Sequence, residues 1–195
     1  MGKRVRLSAE VRRAQLTEAA ARLALAQGYL PLPLERLAAD TGVSKALIYG
    51  YFPDQHDLFN AVLAQQFQAL SEAGLEAAAS GDDLEAVALA CSQIYLRQVA
   101  RHGPIAHIVL RDLYMVRHVR PDLAAFRDRI VRCLARLVRA ELKLPPDEAV
   151  GAISLVTTIP EEAGRLVWQG DLDLDLGLEL GERLVRSSLA ALRPT

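Results

Sequence analysis

The sequence predicts an all-α protein of about nine helices, on three observations. Leucine and alanine, both strong helix formers, supply 33 and 31 of the 195 residues. The 12 Gly and 9 Pro fall mostly between stretches of helical period, where they act as punctuation. Val, Ile and Thr never gather into the alternating runs that a half-buried strand requires.

The elements follow in order. Ser8 caps a first helix running to about Gln27, with Leu16, Ala19, Ala20 and Leu23 on its buried stripe and Gly28 as its stop. After the connector Tyr29 to Pro33, Pro33 suits the first turn of a short helix from Leu34 to Asp40 or Thr41, ended by Gly42. Ser44 caps a third helix, Lys45 to Tyr51, which Pro53 ends. A fourth begins near Asp54 and runs to about Ala79. Further helices are expected from Leu84 to His102, from Gly103-Pro104 to about Val119, and from Pro121 to Leu142. A long segment from Pro146 to Gln169 is expected to kink at Pro160, whose missing N–H frees a carbonyl. The acidic turn Asp171 to Asp175, with Asp173 or Asp175 as cap, opens a last helix to Leu192. The division expected is residues 1–53 as one domain and 54–195 as a second, helical one.

Composition excludes several classes. Hydrophobic residues make up 51% and charged ones 24%, yet the longest uncharged run, Leu58 to Ser71, is 14 residues and carries four amides. That falls short of the ~18–20 apolar residues of a membrane span, so no membrane association is expected. Met1-Gly2-Lys3-Arg4 lacks the apolar core of a signal peptide. Cys91 and Cys133, without metal-ligand spacing, fit a reduced, cytoplasmic protein with neither metal nor cofactor.

The net charge of −1 conceals an uneven distribution. Residues 1–13 carry Lys3, Arg4, Arg6, Arg12 and Arg13 against Glu10 alone. Residues 61–195 hold 15 basic and 18 acidic side chains. A basic arm attracts phosphate, although a solvated terminus has the same composition.

The stretch from Leu34 to Tyr49 carries the chemistry. Leu34, Leu37 and Ala38 share a face, Gly42 permits a tight turn, Val43 plugs the interhelical angle, and Leu47 or Ile48 anchors the following helix. This is helix-turn-helix spacing, in which the second helix enters the DNA major groove by its N-terminal end. Ser44 and the free N–H groups at that helix start can hold a phosphate. Lys45 and Ala46 then face base edges, while Tyr49 and Tyr51 reach the backbone or a thymine methyl. An ordinary helical hairpin with Gly as its stop gives the same pattern.

From Arg13 to about Leu63 the chain resembles the N-terminal DNA-binding domain of TetR-family transcriptional regulators. Leu16, Ala19-Ala20, Leu23, Gly28-Tyr29, Leu37-Ala38, Gly42-Val43-Ser44-Lys45, Ile48-Tyr49, Tyr51-Phe52-Pro53 and Leu58 carry the resemblance, in order and without a gap. It implies a bacterial homodimer that binds a palindromic double-stranded operator, most often as a repressor, and is released by a small-molecule effector. Four positions, at three of the family's polar contacts, depart from the pattern. Leu32 and Pro33 stand where the family usually has Ser or Thr, Leu47 where it has Thr, and Gln55 where it has Lys. Polar contacts to DNA are weakened at these positions, and Lys3, Arg4 and Arg6 are the expected compensation.

The resemblance makes the last two long helices a dimer bundle. Ala149, Ile153, Val156, Gly164 and Val167 on one, and Gly177, Gly181, Leu184, Ser188 and Ala191 on the other, are the expected interface, many of them small enough for close approach. Polar and aromatic interruptions of apolar faces nominate a pocket for a mostly apolar effector: Cys91, Tyr95, His102, Thr157, Thr158, Glu161, Arg165 and Trp168. For Cys91 or Tyr95 taken singly, filling of the core is the favoured reading. His107, Arg111, Tyr114 and His118 fall on one stripe expected to face solvent, opposite Ile105, Val109, Leu113 and Val116. No nucleophile elbow, phosphate loop, zinc motif or suitably spaced carboxylate pair is present, so no enzymatic activity is expected. The competing reading is a dimeric small-molecule-binding protein with weakened or lost DNA recognition.

Overall fold

The computed structural model describes residues 8–193, among which every regular element is a helix, eleven in all. Lys3, Arg4 and Arg6 lie outside the described residues. The helices are α1 (Ala9–Gln27), α2 (Leu34–Thr41), α3 (Lys45–Tyr51), α4 (Gln55–Glu72), α5 (Leu75–Ala79), α6 (Leu84–His102), α7 (Ile105–Arg111), α8 (Pro121–Leu142), α9 (Pro146–Val156), α10 (Thr158–Gln169) and α11 (Leu174–Ala191). None is long and apolar enough to cross a membrane.

The caps read from the sequence are in place. Ser8 Oγ accepts from Val11 N at 3.2 Å, Ser44 Oγ from Leu47 N at 3.2 Å, and Asp173 Oδ1 from Leu176 N at 2.9 Å.

Three helical expectations need correction. The helix expected from Asp54 to Ala79 is two, because Gly74 takes a left-handed φ of 86° and caps α5. The helix expected from residue 105 to about 119 stops at Arg111. There Asp112 Oδ1 accepts from Tyr114 N at 2.9 Å, an Asx turn that competes with the helical ladder. The stripe built on that longer helix dissolves accordingly: Leu113 is 90% exposed and Met115 is fully buried. The third concerns the break in the segment from Pro146, which lies at Thr157. Pro160 sits buried in the first turn of α10, where its missing N–H disrupts least. The hydroxyls of Thr157 and Thr158 donate to the carbonyls of Ser154 and Leu155 at 3.1 and 2.6 Å, satisfying oxygens the break releases.

The helices divide into two compact units, with the division inside α4. The first takes the chain up to Gln65 together with Ile105–Arg120; the second holds Gln66–Pro104 and the chain from Pro121 on. The sequence placed the division at residues 53/54, after Pro53, and had no signal for assigning residues 105–120 to the first unit.

In the first unit Leu16, Ala19, Ala20, Leu37, Ile48, Phe52, Leu58, Phe59 and Val109 are at most 1% exposed. Side chains tie its irregular connections to this core. Gln55 faces Leu32 as a second strand would, accepting from Leu32 N at 2.8 Å and donating to Leu32 O at 2.9 Å. Asn60, 3% exposed, donates to His118 O at 2.8 Å and accepts from Arg120 N at 2.9 Å. Asp112 Oδ2 accepts from Leu30 N at 2.9 Å. Each clamp satisfies backbone groups that no ladder reaches. Gln55→Ala therefore leaves two half-buried backbone groups without partners, and urea unfolding is expected to show a loss of about 1–2 kcal/mol.

In the second unit α6 packs against α5, α8, α10 and α11, and α10 packs against α11. The glycines make this close approach possible. A Cβ on Gly164 would lie 2.7 Å from Val99 Cβ and 2.8 Å from Leu96 O, and one on Gly177 2.8 Å from Val167 Cγ2. A Cβ on Gly181 would lie 3.2 Å from Leu96 Cδ1. Gly164, Gly177 and Gly181, expected at a dimer face, are thus buried within the chain, as are Ala149 and Ile153.

Candidate nucleic-acid interface

The turn between α2 and α3 depends on Gly42, whose φ of 64° and ψ of 31° lie in the left-handed region. Val43 N donates to Ala38 O at 3.0 Å, folding the chain back from the end of α2. Ile48, 1% exposed, anchors α3 on the unit, so the pair Leu47 or Ile48 resolves to Ile48. Arg13 holds the other end of α3: its Nη1 donates to Tyr51 O at 2.8 Å, and its guanidinium lies 4.2 Å from the Phe52 ring centroid. A cation at a helix C-terminus and over an aromatic face is favourable on both counts. One charge of the basic head is thereby engaged in holding α3.

With Ile48 turned in, α3 turns out an uncharged row preceded by one cation. Ser44, Lys45, Ala46 and Gly50 are exposed, as are Leu47 at 41% and Tyr49 at 52%. Tyr51 is half-buried. Lys45 Nζ donates to Glu35 Oε1 at 2.6 Å, so the cation at the start of α3 is held by the first turn of α2. That hydrogen bond lowers the Glu35 carboxyl pKa and raises that of Lys45. The face can therefore present a positioned ammonium beside methyl and phenol groups, a set suited to base edges and thymine methyls.

The departures at Leu32 and Gln55 have structural explanations. Leu32 is buried, Pro33 precedes α2 without a side-chain cap, and Gln55 is engaged by both backbone groups of Leu32. Gln55 here serves the connector.

Residues 112–120 bring Tyr114 and His118, expected on a solvent-facing stripe, against His56. The His56 ring stacks on Tyr114 at 4.3 Å between centroids and on His118 at 3.8 Å. Burial first, then the charges of Asp54 and Tyr49, push the Tyr114 phenol pKa up. The available signal was Asp112, a frequent turn former, followed at two residues by Tyr114.

The residues nominated as an effector pocket lie on α6, at the α9–α10 break and on α10, which packs against α6. Tyr95 Oη and Glu161 Oε2 meet at 3.4 Å. Arg165 pairs with Glu162 and donates to Gln169, His102 is exposed, and Trp168 is 39% exposed. Cys91 is buried, and burial first, then Cys133, pushes its thiol up to about 11. A groove of ~460 Å³ in this unit is lined by other residues, Ser80, Arg129, Arg132, Cys133 and Arg136.

Known proteins resemble the chain in both parts. Residues 16–62 match the family model for bacterial regulatory proteins, tetR family. Solved structures match over nearly the full length. The chain is similar to a TetR-like transcriptional regulator from Rhodococcus sp. RHA1, with TM-score 0.71 and 22% identity, covering 95% of this chain and 99% of that one. It is similar to the TetR family transcriptional regulator PfmR from Thermus thermophilus, with TM-score 0.68 and 18% identity, covering 90% and 97%. It is also similar to the fatty acid degradation regulator FadR from Bacillus halodurans, with TM-score 0.60 and 17% identity, covering 92% and 99%. No curated protein matches significantly. Residues 16–62 thus carry the match to the tetR-family model, and the course of the helices over nearly the whole chain follows the fold of TetR-like regulators.

Proposed function

We propose that the protein is a cytoplasmic, non-enzymatic transcriptional regulator that binds a palindromic operator as a homodimer and is released from it by a small molecule. One observation carries the DNA-binding part: α3 is pinned by Ile48 and Arg13 while Ser44, Lys45, Ala46, Leu47 and Tyr49 stay exposed. Lys3, Arg4 and Arg6 are proposed to add phosphate contacts that Leu32, Pro33, Leu47 and Gln55 do not supply. A gel-shift titration against the DNA upstream of the protein's own coding sequence tests the reading. Sequence-selective retardation supports it, and equal affinity for scrambled DNA removes it.

The alternative, a helical binding protein without DNA recognition, has an observation of its own. Lys45 is engaged by Glu35, and Gln55 by Leu32, so two of the polar groups nearest the groove already have partners. Absence of any selective shift favours that reading.

The dimer is proposed to form through α10 and α11. The small residues are occupied inside the chain, but α11 keeps an outward row: Leu176 (40% exposed), Leu180, Leu184 (53%) and Ala191. These recur at helical spacing and form an apolar face that wants a partner. Leu176→Glu with Leu184→Glu is expected to convert the dimer to a monomer in sedimentation velocity while leaving the helical circular dichroism unchanged. Release follows if the effector binds more tightly to a dimer whose half-site spacing no longer fits DNA, a coupling of typically 1–3 kcal/mol. The effector is proposed to be mostly apolar, bound in the helical body, and a thermal-shift screen of small molecules would find its class.

A further inference from the structure

The acidic total of residues 61–195 conceals a second basic cluster. Residues 126–140 carry Arg127, Arg129, Arg132, Arg136 and Arg139 against Asp128 alone. Three of these arginines recur at i, i+3 and i+7 along α8 and, with Cys133 and Ser80, line the ~460 Å³ groove. Its size lies within the range of small-molecule sites.

The groove's chemistry is one-sided. Its lining offers guanidinium, hydroxyl and thiol groups and no carboxylate. Arg129 is held from one side by Glu76, Nη2 to Oε1 at 2.5 Å, and Glu76 is itself fixed by Ser71 Oγ at 2.8 Å. Arg132 and Arg136 are exposed, with no ion-pair or hydrogen-bond partner among the described residues. Like charges one helical turn apart repel one another. An anion between them would relieve that repulsion, and guanidinium forks match phosphate oxygens. Along the helix axis the three arginines span about 10 Å, room for two phosphate groups.

We propose that this groove binds a small molecule carrying two phosphate groups, with Arg132 and Arg136 as its principal ligands and Arg129 and Ser80 at its edge. The site stands independently of operator binding, and either can fail without the other.

Cys133 reports on occupancy. It is half-buried in the groove lining, whereas Cys91 is buried with its thiol pKa raised and serves as the unreactive reference. The full chain is treated with iodoacetamide, a neutral reagent, at constant ionic strength, with inorganic pyrophosphate as the probe. At ten times its Kd, pyrophosphate is expected to slow Cys133 alkylation about tenfold. Arg132→Ala with Arg136→Ala should abolish the protection. Arg97→Ala with Arg101→Ala, which removes the same charge from α6, should retain it. A calorimetric titration tests the site without the thiol, with saturable heat near one site per chain expected in the unmodified protein and none in the Arg132/Arg136 variant. Three results would overturn the proposal: no saturable heat in the unmodified protein, equal protection by sulfate at matched ionic strength, or equal loss in the Arg97/Arg101 variant.

Discussion

Lys45→Ala combined with Tyr49→Ala is expected to reduce operator affinity by more than about a hundredfold while the thermal transition and the dimer persist. The asymmetry follows from where these side chains stand. Tyr49 is 52% exposed, and Lys45 is hydrogen-bonded to the exposed carboxylate of Glu35. Exposed pairs of that kind contribute little to folding. In a dimer each substitution acts twice, once in each half-site. Parallel fluorescence-anisotropy and thermal-melt measurements check the result. Loss of folding in the double variant would mean that α3's outer row is structural after all.

Gly164→Ala and Gly151→Ala are expected to move stability in opposite directions, although both glycines are helical. At Gly164 a methyl group would meet Val99 Cβ at 2.7 Å and the Leu96 carbonyl oxygen at 2.8 Å. The second neighbour is backbone, so α10 must move off α6. Overpacking of this kind costs about 3 kcal/mol or more, roughly 6–12 °C in Tm for a chain of this size. Gly151 is exposed on α9 with nothing within 4 Å of its would-be Cβ. Alanine there gains helix propensity, so Tm should rise by the equivalent of about 0.5–1 kcal/mol. Differential scanning calorimetry of the two variants measures both signs.

Much of the fold was legible because its boundaries are written in local chemistry. Ser8, Ser44 and Asp173 cap where a capping side chain should, and Gly28, Gly42 and Pro121 mark the expected helix limits. The helix-turn-helix was legible for the same reason, since Gly42 and Ser44 act within a few residues of where they stand. Non-local effects were not legible. The helix period ran unbroken through Gly74 and Asp112, and only backbone conformation shows that the chain turns at each. Small residues at Gly164, Gly177 and Gly181 announce close approach without saying whether the neighbour belongs to the same chain. That neighbour is Val99, Val167 or Leu96 of this chain. Gln55 read as a departure at a position where the resembled family has Lys and Asn60 as one amide of an uncharged run, and both are clamps because of what the connectors bring opposite them. The arginines of α8 were visible all along, but averaging charge over residues 61–195 cancelled them.

Whether α3 reads DNA is decided by one experiment. The most direct measurement is operator affinity by fluorescence anisotropy across a salt series, for the unmodified chain and for the Lys45/Tyr49 variant, on operator and on scrambled duplex. Binding through phosphate and base contacts together predicts that log affinity falls linearly with log salt, by about 0.9 per neutralised phosphate. It also predicts that the preference for operator over scrambled DNA is present in the unmodified chain and absent in the variant. Equal affinity of the unmodified chain for both duplexes, or an operator preference that survives in the variant, would contradict it.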